Sequence, residues 1–144
     1  MYEVSVDWLS DRKGIMESPV LDTRVEVATP PEFANGMPGI WSPEHLFVAA
    51  VNSCLMTTFL AIADNSKLPF VSFSSRATGT LEQVEGKYMM TEVHLFPTVV
   101  IENEAHRDRM LRVLQKAEQH CLISNSVKST VHMTPTVEVA VVTV

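Results

Sequence analysis

Four side chains in this sequence carry chemistry worth locating: Cys54, Cys121, Arg12 and Glu44. The two cysteines are the only thiols in 144 residues, so any nucleophilic or redox sulfur chemistry must use them. The thiolate is the reactive form, and a free cysteine is mostly protonated at neutral pH, more so in apolar surroundings. Cys54 lies within an apolar stretch, with Ala50, Val51, Thr57 and Thr58 as helical neighbours. Taken alone, such a cysteine reads as a small core hydrophobe. A guanidinium brought alongside it, as from Arg12, would lower its pKa, and arginine cannot surrender its own proton. Taken alone, Arg12 is a solvated turn residue and Glu44 a helix N-terminal carboxylate, worth about 0.3 to 1 kcal/mol against the macrodipole. Cys121 admits three readings: a partner thiol for Cys54, one end of a permanent bridge adding on the order of 4 kcal/mol, or a free buried cysteine.

Other chemistries find less support. The histidines stand at positions 45, 94, 106, 120 and 132, and His120-Cys121 is the only adjacent His/Cys pair. There is no C-x-x-C, so a zinc site is not expected. Neither a glycine-rich phosphate loop nor a G-x-S-x-G elbow occurs. A Cys-His hydrolase would need one of these histidines beside Cys54, which nothing in the spacing supplies. His45 reads as a polar residue of the first helical turn, and Met89-Met90 as strand filler.

The elements that must position these residues follow from periodicity. Tyr2, Val4, Val6 and Trp8 alternate with polar residues as a half-buried strand, and Leu21 to Val27 alternates likewise after a turn at Ser10 to Gly14. The two are expected to pair antiparallel. Thr29 to Gly39 holds three prolines and two glycines and reads as a loop. Ser42-Pro43 then opens a helix, serine as cap and proline at the first helical position. It runs to about Asn65 without a glycine or proline. Its apolar residues surround the axis, so it is expected to be buried on nearly every side, and a partner subunit is inferred to cover one of them. Phe70 to Glu82 and Tyr88 to Ile101 read as a hairpin turning near Val84-Glu85-Gly86-Lys87. A second, amphipathic helix begins at Asn103 with Met110, Leu111, Leu114 and Ala117 as its stripe and Cys121 at its end. Thr130 to Val144 alternates as a last strand. The expectation is a single α+β domain over residues 1–144, an antiparallel sheet with a long buried central helix and a second amphipathic one.

Composition agrees with one globular domain: 46% of residues are hydrophobic and 19% charged. A net charge of −6 argues against nucleic acid as a partner. The N-terminus lacks the basic start and apolar run of a signal peptide, and Glu44, His45, Asn52 and Asp64 interrupt the central apolar stretch. No membrane partner and a cytoplasmic location are therefore expected.

Ser42-Pro43-Glu44 followed by Cys54, with Leu21 to Pro30 before it and Cys121-Leu122-Ile123-Ser124-Asn125 after it, resembles the osmotically inducible protein C and organic hydroperoxide resistance (OsmC/Ohr) family, whose central helix opens N/S-P-E and carries a cysteine at this spacing. Counting back from the strand puts Arg12 at the family's arginine. The resemblance implies an intertwined homodimer that reduces organic hydroperoxides with two cysteines and needs no metal, haem, flavin or other cofactor. Cys54 would attack the peroxide, Cys121 would resolve the sulfenic acid as a disulfide, and Arg12 and Glu44 would activate; an external dithiol would restore the thiols. An apolar pocket of Phe33, Met37, Ile40, Trp41 and Phe47 would receive the organic end. One position departs from the pattern, since relatives commonly have proline where this chain has Leu122. Glu44 precedes Cys54 by ten positions, about 15 Å along a continuous helix, so it cannot serve the Cys54 of its own chain. The competing expectation is an OsmC-like dimer that binds a ligand or serves structurally without turnover.

Overall fold

The structure is a computed structural model in which residues 1–141 are described. The fold is α+β. In chain order its elements are β1 (Ser5–Ser10), β2 (Lys13–Ser18), β3 (Leu21–Ala28), α1 (Pro43–Asn65), β4 (Ser72–Val84), β5 (Lys87–Ile101), α2 (Arg107–Gln119), β6 (Thr130–Met133) and β7 (Thr136–Val139). The chain divides into two compact units, Met1–Phe47 and Val48–Val144, and α1 starts in the first and continues into the second.

The first unit holds an antiparallel sheet in the order β1-β2-β3. Here the structure corrects the sequence. The strands expected to pair directly are separated by β2, and the long turn expected over Ser10 to Gly14 shrinks to Asp11-Arg12. Lys13 to Ser18 shows no apolar alternation, and Gly14 looks like a turn residue. Gly14 instead sits mid-sheet, opposite Trp8 and Val27, where a side chain would meet the Asp7 carbonyl at 2.8 Å. The turn is tight because Asp11 adopts φ 49° and its carbonyl accepts a hydrogen bond from Trp8 Nε1 at 3.0 Å. β1 starts at Ser5, beyond the expected Tyr2, and all of it is exposed. The loop after β3 is tied back to the sheet. Thr29 N donates to the Arg12 carbonyl (3.2 Å), Met37 N to the Thr29 carbonyl (2.9 Å) and Ala28 N to the Trp41 carbonyl (2.9 Å).

In the second unit β4 and β5 form a long antiparallel hairpin, in register from Ser72↔Val100 to Val84↔Lys87. Glu85 and Gly86 take φ 51° and 80°, the two-residue turn whose twist matches that of the strands. β5 buries Val93, Leu95, Pro97, Val99 and Ile101, every second residue. α1 packs on this sheet through Val51, Leu55, Phe59 and Ala63, spaced four apart on one helical stripe. Phe59 stacks on Phe73 with centroids 4.9 Å apart and meets Phe70 edge-on, and Asn52 Nδ2 donates to the Ser75 carbonyl at 2.9 Å. The burial expected around α1 is thus confined to one stripe within the chain. Met56 and Leu60 remain 38% and 40% exposed, because one sheet can wall only one side of a helix that is apolar all round.

Asn103 opens the second helical segment, its Oδ1 accepting from Ala105 N at 2.9 Å across a short 3₁₀ turn before α2. α2 buries Met110, Val113, Leu114 and Ala117; Val113 takes the place expected for Leu111, which is half-buried. The sheet is mixed rather than antiparallel throughout. β6 and β7 both run parallel to β5, where one final strand over Thr130 to Val144 was expected. Alternation reveals that a segment is extended but not its direction, and Pro135, with no N–H, breaks the ladder between β6 and β7. Residues 142–144 of that expected strand lie outside the described residues.

Candidate active site

The two thiols come together in the second unit. Cys54 lies on α1, half-buried, and Cys121 lies just past α2, fully buried; both are free. The two thiols lie close enough for each to perturb the ionisation of the other. Thr58, one turn along α1, places Oγ1 3.9 Å from Cys54 Sγ. The chain after α2 turns back at Leu122 and Ile123 and adds their main-chain amides. Burial pushes the Cys54 thiol up, and the donors together outweigh it: the Ile123 amide, the Cys121 thiol, Thr58 and the Leu122 amide, so the group lies below the ordinary cysteine range. Cys121 moves the other way. Burial pushes it up, Ser124 opposes this, and proximity to Cys54 adds to the rise. One thiol is thereby prepared to ionise first, with its neighbour still protonated.

Arg12 and Glu44 come together in the first unit. Both line a cleft of about 490 Å³, with Val6, Trp8, Lys13, Val27, Pro30 and Phe33 among its walls. Arg12 stands at the β1-β2 turn, held there by its carbonyl bond from Thr29 N. Glu44 belongs to the first turn of α1, and the start of that helix is closely specified. Buried Ser42 caps it: His45 N donates to Ser42 Oγ (3.2 Å), Ser42 N donates back to His45 Nδ1 (3.3 Å), and Ser42 Oγ and His45 Nδ1 lie 2.7 Å apart. This is a capping box in which His45 fills the role usual for Glu or Gln. Glu44 Oε2 is buried and has no hydrogen-bond partner, and no ion pair joins it to Arg12. A buried carboxylate oxygen left unpaired is costly.

The residues expected to line a substrate pocket separate. Phe33 lines the Arg12–Glu44 cleft, while Ile40 and Trp41 line a second hollow of about 280 Å³ with His45, whose ring meets Trp41 edge-on. Met37 and the half-buried Phe47 line neither of these. Two contributors escaped the sequence reading. Lys13 enters the cleft beside Arg12, although it is also 3.8 Å from Glu26. The Leu122 and Ile123 amides are main-chain donors with no side-chain signature, and the only hint was that position 122 is not proline. Three of the histidines are engaged away from Cys54: His45 with Ser42, His94 with Thr134 and His132 with Glu92.

The central helix and the flanking strands fit a known fold. The OsmC-like protein family matches residues 36–136, more than half of the sequence, and the chain belongs to that family. Among solved structures, it is similar to an OsmC-like protein of unknown function from Vibrio cholerae, with TM-score 0.84 and 24% identity over 94% of this chain and 98% of that one. It is also similar to an organic hydroperoxide resistance protein OsmC from Legionella pneumophila, with TM-score 0.75 and 21% identity over 96% of each chain. An organic hydroperoxide resistance protein from Bacillus subtilis follows the same fold, with TM-score 0.69 and 17% identity over 97% of this chain and 98% of that one. At these identities the likeness is one of fold. Comparison with curated proteins returns no match. By length and composition α1 could cross a membrane, against the expectation that no segment would qualify. Its place in the OsmC-like fold is that of the core helix, seated on β4.

Proposed function

We propose that this protein is a homodimeric, thiol-dependent peroxidase that reduces organic hydroperoxides to alcohols, the whole chain acting as one OsmC-like domain. The observation that carries the reading is that Cys54 and Cys121 come together and perturb each other, one thiol held below the ordinary range and the other above it. Membership of the OsmC-like family supports it, as do fold relatives named for organic hydroperoxide resistance.

The Cys54 thiolate attacks the terminal oxygen of R–O–OH. The O–O bond breaks, the alkoxide takes a proton and leaves as alcohol, and the sulfur is left as a sulfenic acid. The Cys121 sulfur then attacks the Cys54 sulfur, hydroxide leaves and takes the thiol proton to become water, and a disulfide forms. An external dithiol reduces that disulfide by exchange, becoming a disulfide itself. The two activating side chains act across the two-fold. The rise along α1 separates Glu44 from the Cys54 of its own chain by about 15 Å, so the Arg12–Glu44 cleft of one protomer serves the thiols of its partner. There the guanidinium neutralises and orients the peroxide oxygens while Glu44 Oε2 gains the partner it lacks. The uncovered residues Met56 and Leu60 of α1 and Val6 and Trp8 of β1 support such a dimer.

The test is steady-state consumption of an organic hydroperoxide with a dithiol reductant. Wild type turns over, Cys54→Ser falls to the rate of buffer, and Cys121→Ser is slowed, because its sulfenic acid must then react directly with the external dithiol. A wild type no faster than buffer overturns the peroxidase reading and favours the non-catalytic dimer.

A further inference from the structure

We infer that His94 and His132 form a two-histidine site for a divalent transition-metal ion on the sheet face turned away from α1. The site stands on its own geometry and does not depend on the peroxidase reading.

Successive side chains of a strand point to opposite faces of its sheet. β5 buries Val93, Leu95, Pro97 and Val99 on the face shared with Phe73, the ring on which α1 stacks Phe59. Glu92, His94 and Phe96 therefore lie on the other face. β6 runs parallel beside β5 and places His132 directly opposite His94. The two rings have centroids 5.7 Å apart and planes inclined at 45°. Metal–nitrogen bonds of about 2.0–2.1 Å, meeting at angles between roughly 90° and 120°, hold two imidazole centroids about 4.5 to 5.5 Å apart. The pair stands just outside that span, and a small rotation of either side chain brings it within.

Each ring also has the kind of outer partner that metal-bound histidines use. His94 stacks on Phe96, with centroids 4.2 Å apart and planes 11° from parallel, and its Nε2 lies 2.7 Å from Thr134 Oγ1. His132 Nε2 lies 3.5 Å from Glu92 Oε1. With each Nε2–H directed at an oxygen, the Nδ1 lone pairs are left for a ligand, and such partners fix the tautomer and raise the basicity of the ring. The nearby cation, Arg76, is engaged with the Phe96 ring, 4.3 Å from its centroid. Two protonated histidines directly opposite each other repel, whereas two neutral rings can share one cation. Imidazole suits nickel, copper and zinc, with copper bound most tightly. Among the described residues no three such side chains converge on a metal position. Water therefore completes the coordination, and the ion is exchangeable rather than structural.

The experiment titrates the full-length protein with Ni²⁺, which leaves the thiols unoxidised, by calorimetry, and records the histidine ring nitrogens by NMR in parallel. Wild type should bind one Ni²⁺ per chain, and the paramagnetic ion should broaden the His94 and His132 rings before those of His45, His106 and His120. His94→Ala and His132→Ala should each weaken binding by roughly tenfold or more. Glu92→Gln, which keeps both ligands, should weaken it by less, and His106→Ala should leave it unchanged. Replacing both cysteines with serine should also leave it unchanged, since the thiols take no part. Absence of binding by wild type overturns the site. So does binding that survives either alanine substitution at full strength, or that disappears with the cysteines. Should an alanine variant not fold, the order in which the wild-type rings broaden decides: any other histidine broadening first overturns the site.

Discussion

At Cys54 two effects compete: burial, which favours the neutral thiol, and a ring of donors, which favours the thiolate. The donors prevail there and burial prevails at Cys121, so the two neighbouring sulfurs are shifted in opposite directions. Labelling with iodoacetamide across pH is expected to show Cys54 reacting through a midpoint below that of a free cysteine, and Cys121 reacting later and at higher pH. The same shift is a stability statement. The folded state holds the Cys54 proton less tightly than the unfolded chain does, so its contribution is present above the unfolded thiol range and is lost as pH falls through the folded value. Little of this could be read from residue types. Cys54 in an apolar helix suggests packing, and its distant partner Cys121 and the main-chain donors come to it only through the turn after α2. The family pattern pointed to the pair; its energetics depend on a backbone that a sequence does not display.

The elements were more legible where one physical signal dominates. Ser42-Pro43 and the absence of any later helix breaker marked α1 from its first residue, and Glu85-Gly86 marked the β4–β5 hairpin. β2 was hidden because its sheet-facing glycine mimics a turn, and the parallel course of β6 and β7 was hidden because alternation has no direction. Two substitutions test the helix that carries the site. Phe59→Ala removes a fully buried ring stacked on Phe73; urea unfolding should show a loss of about 3 to 5 kcal/mol. Ser42→Ala removes the buried cap hydroxyl while leaving the core of α1 intact; the same measurement should show about 1 kcal/mol, and hydrogen exchange should rise at the amides of Glu44 and His45 rather than along the whole helix.

For the whole molecule, the composition-based inference that α1 needs a second wall is sharpened by where its apolar surface is left open. Sedimentation equilibrium is expected to give twice the 16.0 kDa chain mass, and Leu60→Asp, placing a charge on the uncovered side of α1, should shift the protein toward monomer. Mixed subunits test how the site is shared. A heterodimer of Arg12→Ala with Cys54→Ser contains one intact site if Arg12 acts on the partner's thiol, and should recover about half of wild-type turnover per dimer, one of the two sites required by the two-fold. If Arg12 serves its own chain, both sites are defective and nothing is recovered.

The most direct test is a single-equivalent titration with an organic hydroperoxide, followed by intact mass and peptide mapping in the absence of reductant. Wild type should lose two hydrogens per chain and yield a Cys54–Cys121 linked peptide, while Cys121→Ser should accumulate a sulfenic acid on Cys54. Wild-type chains that stay reduced, or that take up oxygen elsewhere and leave Cys54 as a thiol, would contradict the account.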